Sequence, residues 1–156
     1  MADMTGFTVG PLQPGDARAV FPLIREASPA VALPRWLSYV RTVTSGRLAG
    51  QAGVVVARRV GRAYPCGLFC YRVENELERG RVLTADHFVA VDLLDPAAVL
   101  DALVRELEAL GVRQGCSAVR GVVHGTQTEL AGGLSAAGHA LEASLFVRRL
   151  EPDSRL

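Results

Sequence analysis

The chain divides where the spacing of its hydrophobic residues changes. Residues 7–12, Phe7-Thr8-Val9-Gly10-Pro11-Leu12, alternate apolar with small or polar side chains and stop at Gln13-Pro14-Gly15, the pattern of a strand closed by a turn. Over 16–27 the spacing becomes helical. Asp16 is placed to cap, Val20, Phe21, Ile24 and Ala27 form one stripe, and Pro22 restricts where the first turn begins. A loop over 28–33 leads to Pro34, suited to the first turn of a second helix. Trp36, Leu37, Tyr39, Val40 and Val43 supply its buried side, and Ser45-Gly46 ends it.

The middle of the chain reads as β. Residues 53–60 are strongly β-branched, 60–63 form a turn, and 65–73 resume with Leu68, Cys70 and Tyr71, which predicts an antiparallel hairpin. Polar residues 75–80 predict a loop. The strand over 82–91 becomes almost wholly apolar at Phe88-Val89-Ala90-Val91, as a central strand does. Asp95-Pro96 then offers an N-cap and a first-turn proline, and Val99, Leu100, Leu103, Leu107 and Leu110 follow at helical spacing to Gly111, where the helix is expected to stop. A strand over 118–123, a helix over 126–137 and a final strand over 140–150 complete the pattern. This order predicts an α/β (α+β) fold: a mixed, mainly antiparallel central sheet of six or seven strands flanked by about four helices.

Composition narrows the possibilities. A chain of 156 residues with 49% hydrophobic content predicts a single domain over 1–156 with its core in 7–150. Basic residues number 17 against 16 acidic ones, a net charge of +1, so no field draws the protein to nucleic acid or to a membrane surface. All 17 basic residues are arginine, which excludes Schiff-base lysines and the phosphate-loop lysine of nucleotide triphosphatases. No segment reads as a leader or approaches the roughly 20 apolar residues of a membrane span, so a cytoplasmic location is expected. Cys66 and Cys70 would lie about 13 Å apart on one strand face at ~3.3 Å per residue, too far for a disulfide. Reduced thiols are expected, and with no zinc-type spacing no metal is.

The element order over 7–150 resembles the GNAT acetyltransferase superfamily. The local wording agrees at Leu12-Gln13-Pro14-Gly15-Asp16, at the Phe88-Val89-Ala90-Val91 strand, and at Leu134-Ser135-Ala136-Ala137-Gly138-His139. The family's most specific motif is Gln/Arg-x-x-Gly-x-Gly/Ala, whose backbone N–H groups meet the acetyl-CoA pyrophosphate at a helix N-terminus. Here the matching segment is Val91-Asp92-Leu93-Leu94-Asp95-Pro96-Ala97-Ala98, which lacks glycine and arginine, gives up one donor at Pro96 and adds two negative charges. Losing two charge-assisted hydrogen bonds weakens binding about 100-fold or more.

The resemblance also implies where chemistry would sit. The backbone of Val89, Ala90 and Val91 would line the pantetheine arm of acetyl-CoA or another acyl-CoA. A base facing the cleft would be Glu74 or His87. Asp86 and His87 are expected to face opposite sides of a regular strand and not to act as a pair. Ser135 stands where many members carry the tyrosine that protonates the leaving thiolate. Trp36 and Tyr39, one turn apart, would wall the acceptor site, and His124 would meet a ligand at the carboxyl end of the sheet. Arg58, Arg59, Arg62, Arg72, Arg79 and Arg81 suggest a shared basic patch.

Two functions follow. One is a divergent, non-catalytic or weakly active module with a degenerate acetyl-CoA site, which takes a small amine or a protein partner or pairs as a homodimer. The other is an active acyl-CoA-dependent N-acetyltransferase acting on an amine through Glu74 or His87. The first predicts a filled or differently shaped cleft beside 89–91, the second an open V.

Overall fold

The computed structural model describes residues 2–4 and 6–150; residues 1, 5 and 151–156 of the expected domain lie outside the described residues. Six strands form one sheet in sequence order: β1 (Ala2–Met4), β2 (Phe7–Pro11), β3 (Ala52–Arg59), β4 (Pro65–Glu76), β5 (Gly80–Ala90) and β6 (Ala118–Gly121). Neighbours pair antiparallel except β5 and β6, which the intervening helix makes parallel. The predicted fold class holds. The count reaches six only with the three-residue β1, and β2 to β6 are the body of the sheet.

Helices α1 (Ala17–Ala27) and α2 (Leu33–Thr44) cover one face, where Val20, Ile24, Trp36 and Val40 meet Val54, Val56, Leu68 and Cys70. Helices α3 (Pro96–Arg113) and α4 (Thr128–Ala136) cover the other, where Leu103, Leu107, Leu130 and Leu134 meet Val55, Phe69, Leu83 and Phe88. Alternation along β3 to β5 divides their apolar residues between these two cores.

Several boundaries depart from expectation. The 75–80 loop is a tight turn, because pairing persists to Glu76↔Gly80. Helix α3 runs through Gly111 to Arg113. Gly111 is a packing residue: a Cβ there would lie 2.3 Å from Val119 Cγ1. The stop is Gly115, with φ of 69°, where Cys116 N–H donates to Gly111 O and Gly115 N–H to Val112 O, a Schellman cap. Cys66 and Cys70 occupy opposite cores, not one face, because the β3–β4 register shifts beside Arg58. Asp16 makes no side-chain cap and instead pairs with Arg58 at 3.3 Å. The expected last strand over 140–150 is an unpaired, exposed segment.

Candidate functional site

Strands β5 and β6 part after Ala85↔Gly121, with Val122 N–H to Ala85 O at 2.8 Å as a last bond. Beyond that point β5 continues to Ala90 paired only with β4, so the sheet opens in a V. A bulge marks the same place: Leu68 and Cys70 of β4 stand opposite Val89 and Asp86, so two steps along β4 match three along β5. His87 absorbs the extra step with φ of 53°, the only positive φ outside glycine among the described residues.

That backbone turn overturns the expectation that Asp86 and His87 diverge. The imidazole Nδ1 lies 2.8 Å from Asp86 Oδ1. The other Asp86 oxygen accepts from Arg72 Nη1 at 3.3 Å, and Arg72 Nε donates to Glu74 Oε1 at 2.9 Å. Thr84 Oγ1 donates to the second Glu74 oxygen at 3.0 Å. Glu74 and His87, named separately from the sequence, thus belong to one charged chain. The Tyr39 phenol closes its α2 side beside the Cys70 thiol.

The electrostatics follow from these contacts. The Asp86 carboxylate raises the His87 pKa against the opposing effect of burial. Burial alone would raise Asp86, but His87 and Arg72 outweigh it and hold the carboxyl below its ordinary value. Glu74 is likewise lowered, its burial outweighed by Arg72 and Thr84, so it is a weak base. Burial, and next the charge of Asp86, pushes the Cys70 thiol up to about 12, and burial raises Tyr39 as well; both stay protonated.

At the N-terminus of α3, the chain's own carboxylates accept from backbone donors. Asp92 Oδ1 accepts from the amides of Leu94 and Asp95 at 2.8 and 3.0 Å, and Asp95 Oδ1 caps α3 through Ala98 N–H at 3.0 Å. Asp92 Oδ2 accepts from Arg59 Nε and Nη2 at 3.2 and 2.8 Å. The Asp95 amide, with Arg59 second, keeps Asp92 ionised, and its side chain is 8% exposed. Three amides at this helix end are thus engaged within the chain, and Pro96 has none to offer.

The remaining candidates separate. Val91 lies past the strand and spends its amide on Cys66 O, Val89 is buried in the α1/α2 core, and Ala90, the last residue of β5, packs half-buried against the α3/α4 core. The neighbouring Phe88 carbonyl accepts from Gln127 Nε2 at 2.9 Å, while Gln127 Oε1 accepts from His124 N–H. His124 therefore does stand at the mouth of the V, through its backbone. Gln127, which no local sequence pattern marks, bridges β5 and the loop that follows β6. Trp36 is core: it is 3% exposed, and its Nε1 donates to Ala17 O at 2.7 Å. Only Tyr39, stacked on it with centroids 6.0 Å apart, reaches the surface. Ser135 is exposed on α4, which lies with α3 on the other face from Glu74. The arginines form no shared patch: Arg58, Arg59 and Arg62 sit at one end of β4 and Arg79 and Arg81 at the other, each engaged by its own acceptor. No group of metal-ligating side chains occurs among the described residues, and no helix is long and apolar enough to cross a membrane.

No family model matches the sequence, and no curated protein sequence does. Solved structures do. An aminoglycoside N-acetyltransferase, AAC(6')-Iy, in complex with CoA, matches with a TM-score of 0.75 at 13% identity over 92% of this chain and 94% of that one. A ribosomal-protein-alanine N-acetyltransferase from Brucella melitensis biovar Abortus matches with 0.75 at 16% identity over 93% and 99%. A glucosamine-6-phosphate N-acetyltransferase from Arabidopsis thaliana gives 0.72 at 13% over 93% and 99%. The chain therefore has the GNAT acetyltransferase fold over nearly its whole length.

Proposed function

We propose that this is an acetyltransferase-like module whose acyl-CoA phosphate site is closed by its own chain, and that it serves to bind a small amine or a protein partner without acyl transfer. The observation that carries this reading is Asp92. Its carboxylate lies among the amides that would receive a phosphate and holds the nearest cation, Arg59. An entering pyrophosphate would meet a fixed negative charge and engaged donors. The cleft on the other side of the V offers Asp86, Arg72 and the Tyr39 hydroxyl to a polar ligand. The alternative, an active acyl-CoA-dependent N-acetyltransferase, draws support from the V between β5 and β6 that it predicts, and from the strained His87 held beside Asp86, since backbone strain collects at functional sites.

Calorimetric titration with acetyl-CoA, with CoA and desulfo-CoA as controls, separates the two. No heat of binding is expected from any of them. Tight binding shared by all three would show that the 92–98 segment admits phosphates and would favour the enzyme.

A further inference from the structure

Charge is not spread evenly over the molecule. Residues 17–51, which hold α1, α2 and the loop after them, carry five arginines, Arg18, Arg25, Arg35, Arg41 and Arg47, against one acid, Glu26. That layer is therefore +4, and the rest of a chain of net charge +1 is −3. All five arginines are exposed.

The two parts also differ in how their charges are met. Every arginine from Arg58 to Arg120 has an acceptor in the fold, whereas none of the five in 17–51 has one among the described residues. Arg18 and Arg25 lie two turns apart on one side of α1, about 10 Å along its axis, close to one screening length at moderate salt. Their fields add, with Glu26 as the one opposing charge in the layer.

Apolar surface lies among these charges. Phe21 stands three residues after Arg18 and four before Arg25, and Leu33, Leu37 and Arg41 follow one another at four-residue spacing on α2. Phe21, Leu33 and Leu37 pack against the α1/α2 core and keep part of their side chains in solvent.

These features select the occupant. A carboxylate takes a guanidinium through two parallel hydrogen bonds, and arginine is the cation suited to that geometry. A nucleic acid has the charge but would extend past the layer onto a remainder of −3, and its phosphates offer no hydrocarbon to Phe21 and Leu37. A protein segment that mixes acidic and aliphatic side chains satisfies both requirements.

We propose that the solvent face of α1 and α2 docks an acidic segment of a protein partner, with Arg18, Arg25 and Arg41 taking its carboxylates and Phe21 and Leu37 its aliphatic side chains. The assignment concerns the helical layer and stands whether or not the V transfers an acyl group.

Fluorescence anisotropy of the full chain with a labelled peptide of repeated Glu-Glu-Leu reads this binding. Affinity is expected to fall as salt rises, and a Glu-Glu-Ser repeat of equal charge is expected to bind more weakly. The triple variant Arg18→Gln, Arg25→Gln, Arg41→Gln is expected to lose about tenfold in affinity with an unchanged thermal melt, because the fold holds none of the three side chains. Arg105→Gln, on the opposite face, is expected to bind as the wild type does. Absence of peptide binding would overturn the proposal, as would a triple variant that binds normally or an Arg105→Gln variant that loses as much. So would a serine repeat that binds as well as the leucine one, or an oligonucleotide of equal charge that binds more tightly than either, which would assign the layer to nucleic acid.

Discussion

Arg59 and Asp92, 33 residues apart, meet through one carboxylate oxygen that accepts from two guanidinium nitrogens, while the other oxygen holds the amides of Leu94 and Asp95. Arg59 is itself fixed, its guanidinium 4.9 Å from the centre of the Phe7 ring. The pair joins β3 to the loop before α3 and places an anion at the helix entry from within.

Replacing Asp92 with glycine should therefore open the site. Two amides and Arg59 become free to donate to a phosphate, and affinity for CoA is expected to rise roughly tenfold or more. Calorimetry on Asp92→Gly, with Asp92→Asn as a variant that keeps the acceptor but not the charge, checks this. Equal CoA affinity in the wild type and both variants would show that Asp92 does not close the site.

The Asp86–His87 pair should give stability a defined pH window. The His87 pKa is raised, so its contribution is complete below the ordinary imidazole value and is lost as pH climbs through the raised one. The Asp86 pKa is lowered, so its contribution is present above the ordinary carboxylate value and is lost as pH falls through the lowered one. The pair contributes most between about pH 4 and 6.5. His87→Asn, which tolerates the positive φ, is expected to cost about 0.5 kcal/mol there, discounted for the exposed ring, and nothing at alkaline pH. Urea titrations at a series of pH values would reveal it; a pH-independent difference would argue against the ion pair.

Gly111 should resist substitution although it lies inside a helix, where alanine is ordinarily better. The new methyl would lie 2.3 Å from Val119 Cγ1, so Gly111→Ala is expected to destabilise by about 1–3 kcal/mol. Adding Val119→Ala should recover part of the loss. Additive losses in denaturant unfolding would rule out the proposed clash.

Trp36→Phe removes the only indole hydrogen bond and leaves the Ala17 carbonyl without that donor in the core beneath α1. A loss of about 1–3 kcal/mol is expected. Ligand binding at the Tyr39 side should persist if Trp36 only supports it, which titration of the variant with any ligand found for the wild type would establish.

Long periodic segments made the architecture legible: α1, α2, α3 and β3 to β5 all announce themselves by spacing, and Asp95-Pro96 marks the start of α3. The missed features depend on partners distant in sequence or on a broken period. Gly111 looks like a stop because glycine usually is one, but the close approach of Val119 from β6 claims it. Asp86 and His87 look divergent because period-two reasoning assumes an unbulged strand. Asp92 and Arg59 were each conspicuous, the one as misplaced charge and the other as part of an arginine cluster. Nothing in either local pattern says that they meet. The apolar alternation over 141–150 was legible as a strand, but its lack of a partner was not.

The self-occupied helix entry also changes what ordinary thermodynamic linkage predicts. A protein that borrows an anion from solution gains stability in proportion to the logarithm of that anion's concentration, and loses it when the supply falls. Here the anion is tethered, its effective concentration fixed by the chain between Asp92 and α3. The order of this loop therefore does not depend on the concentration of a dissolved anion.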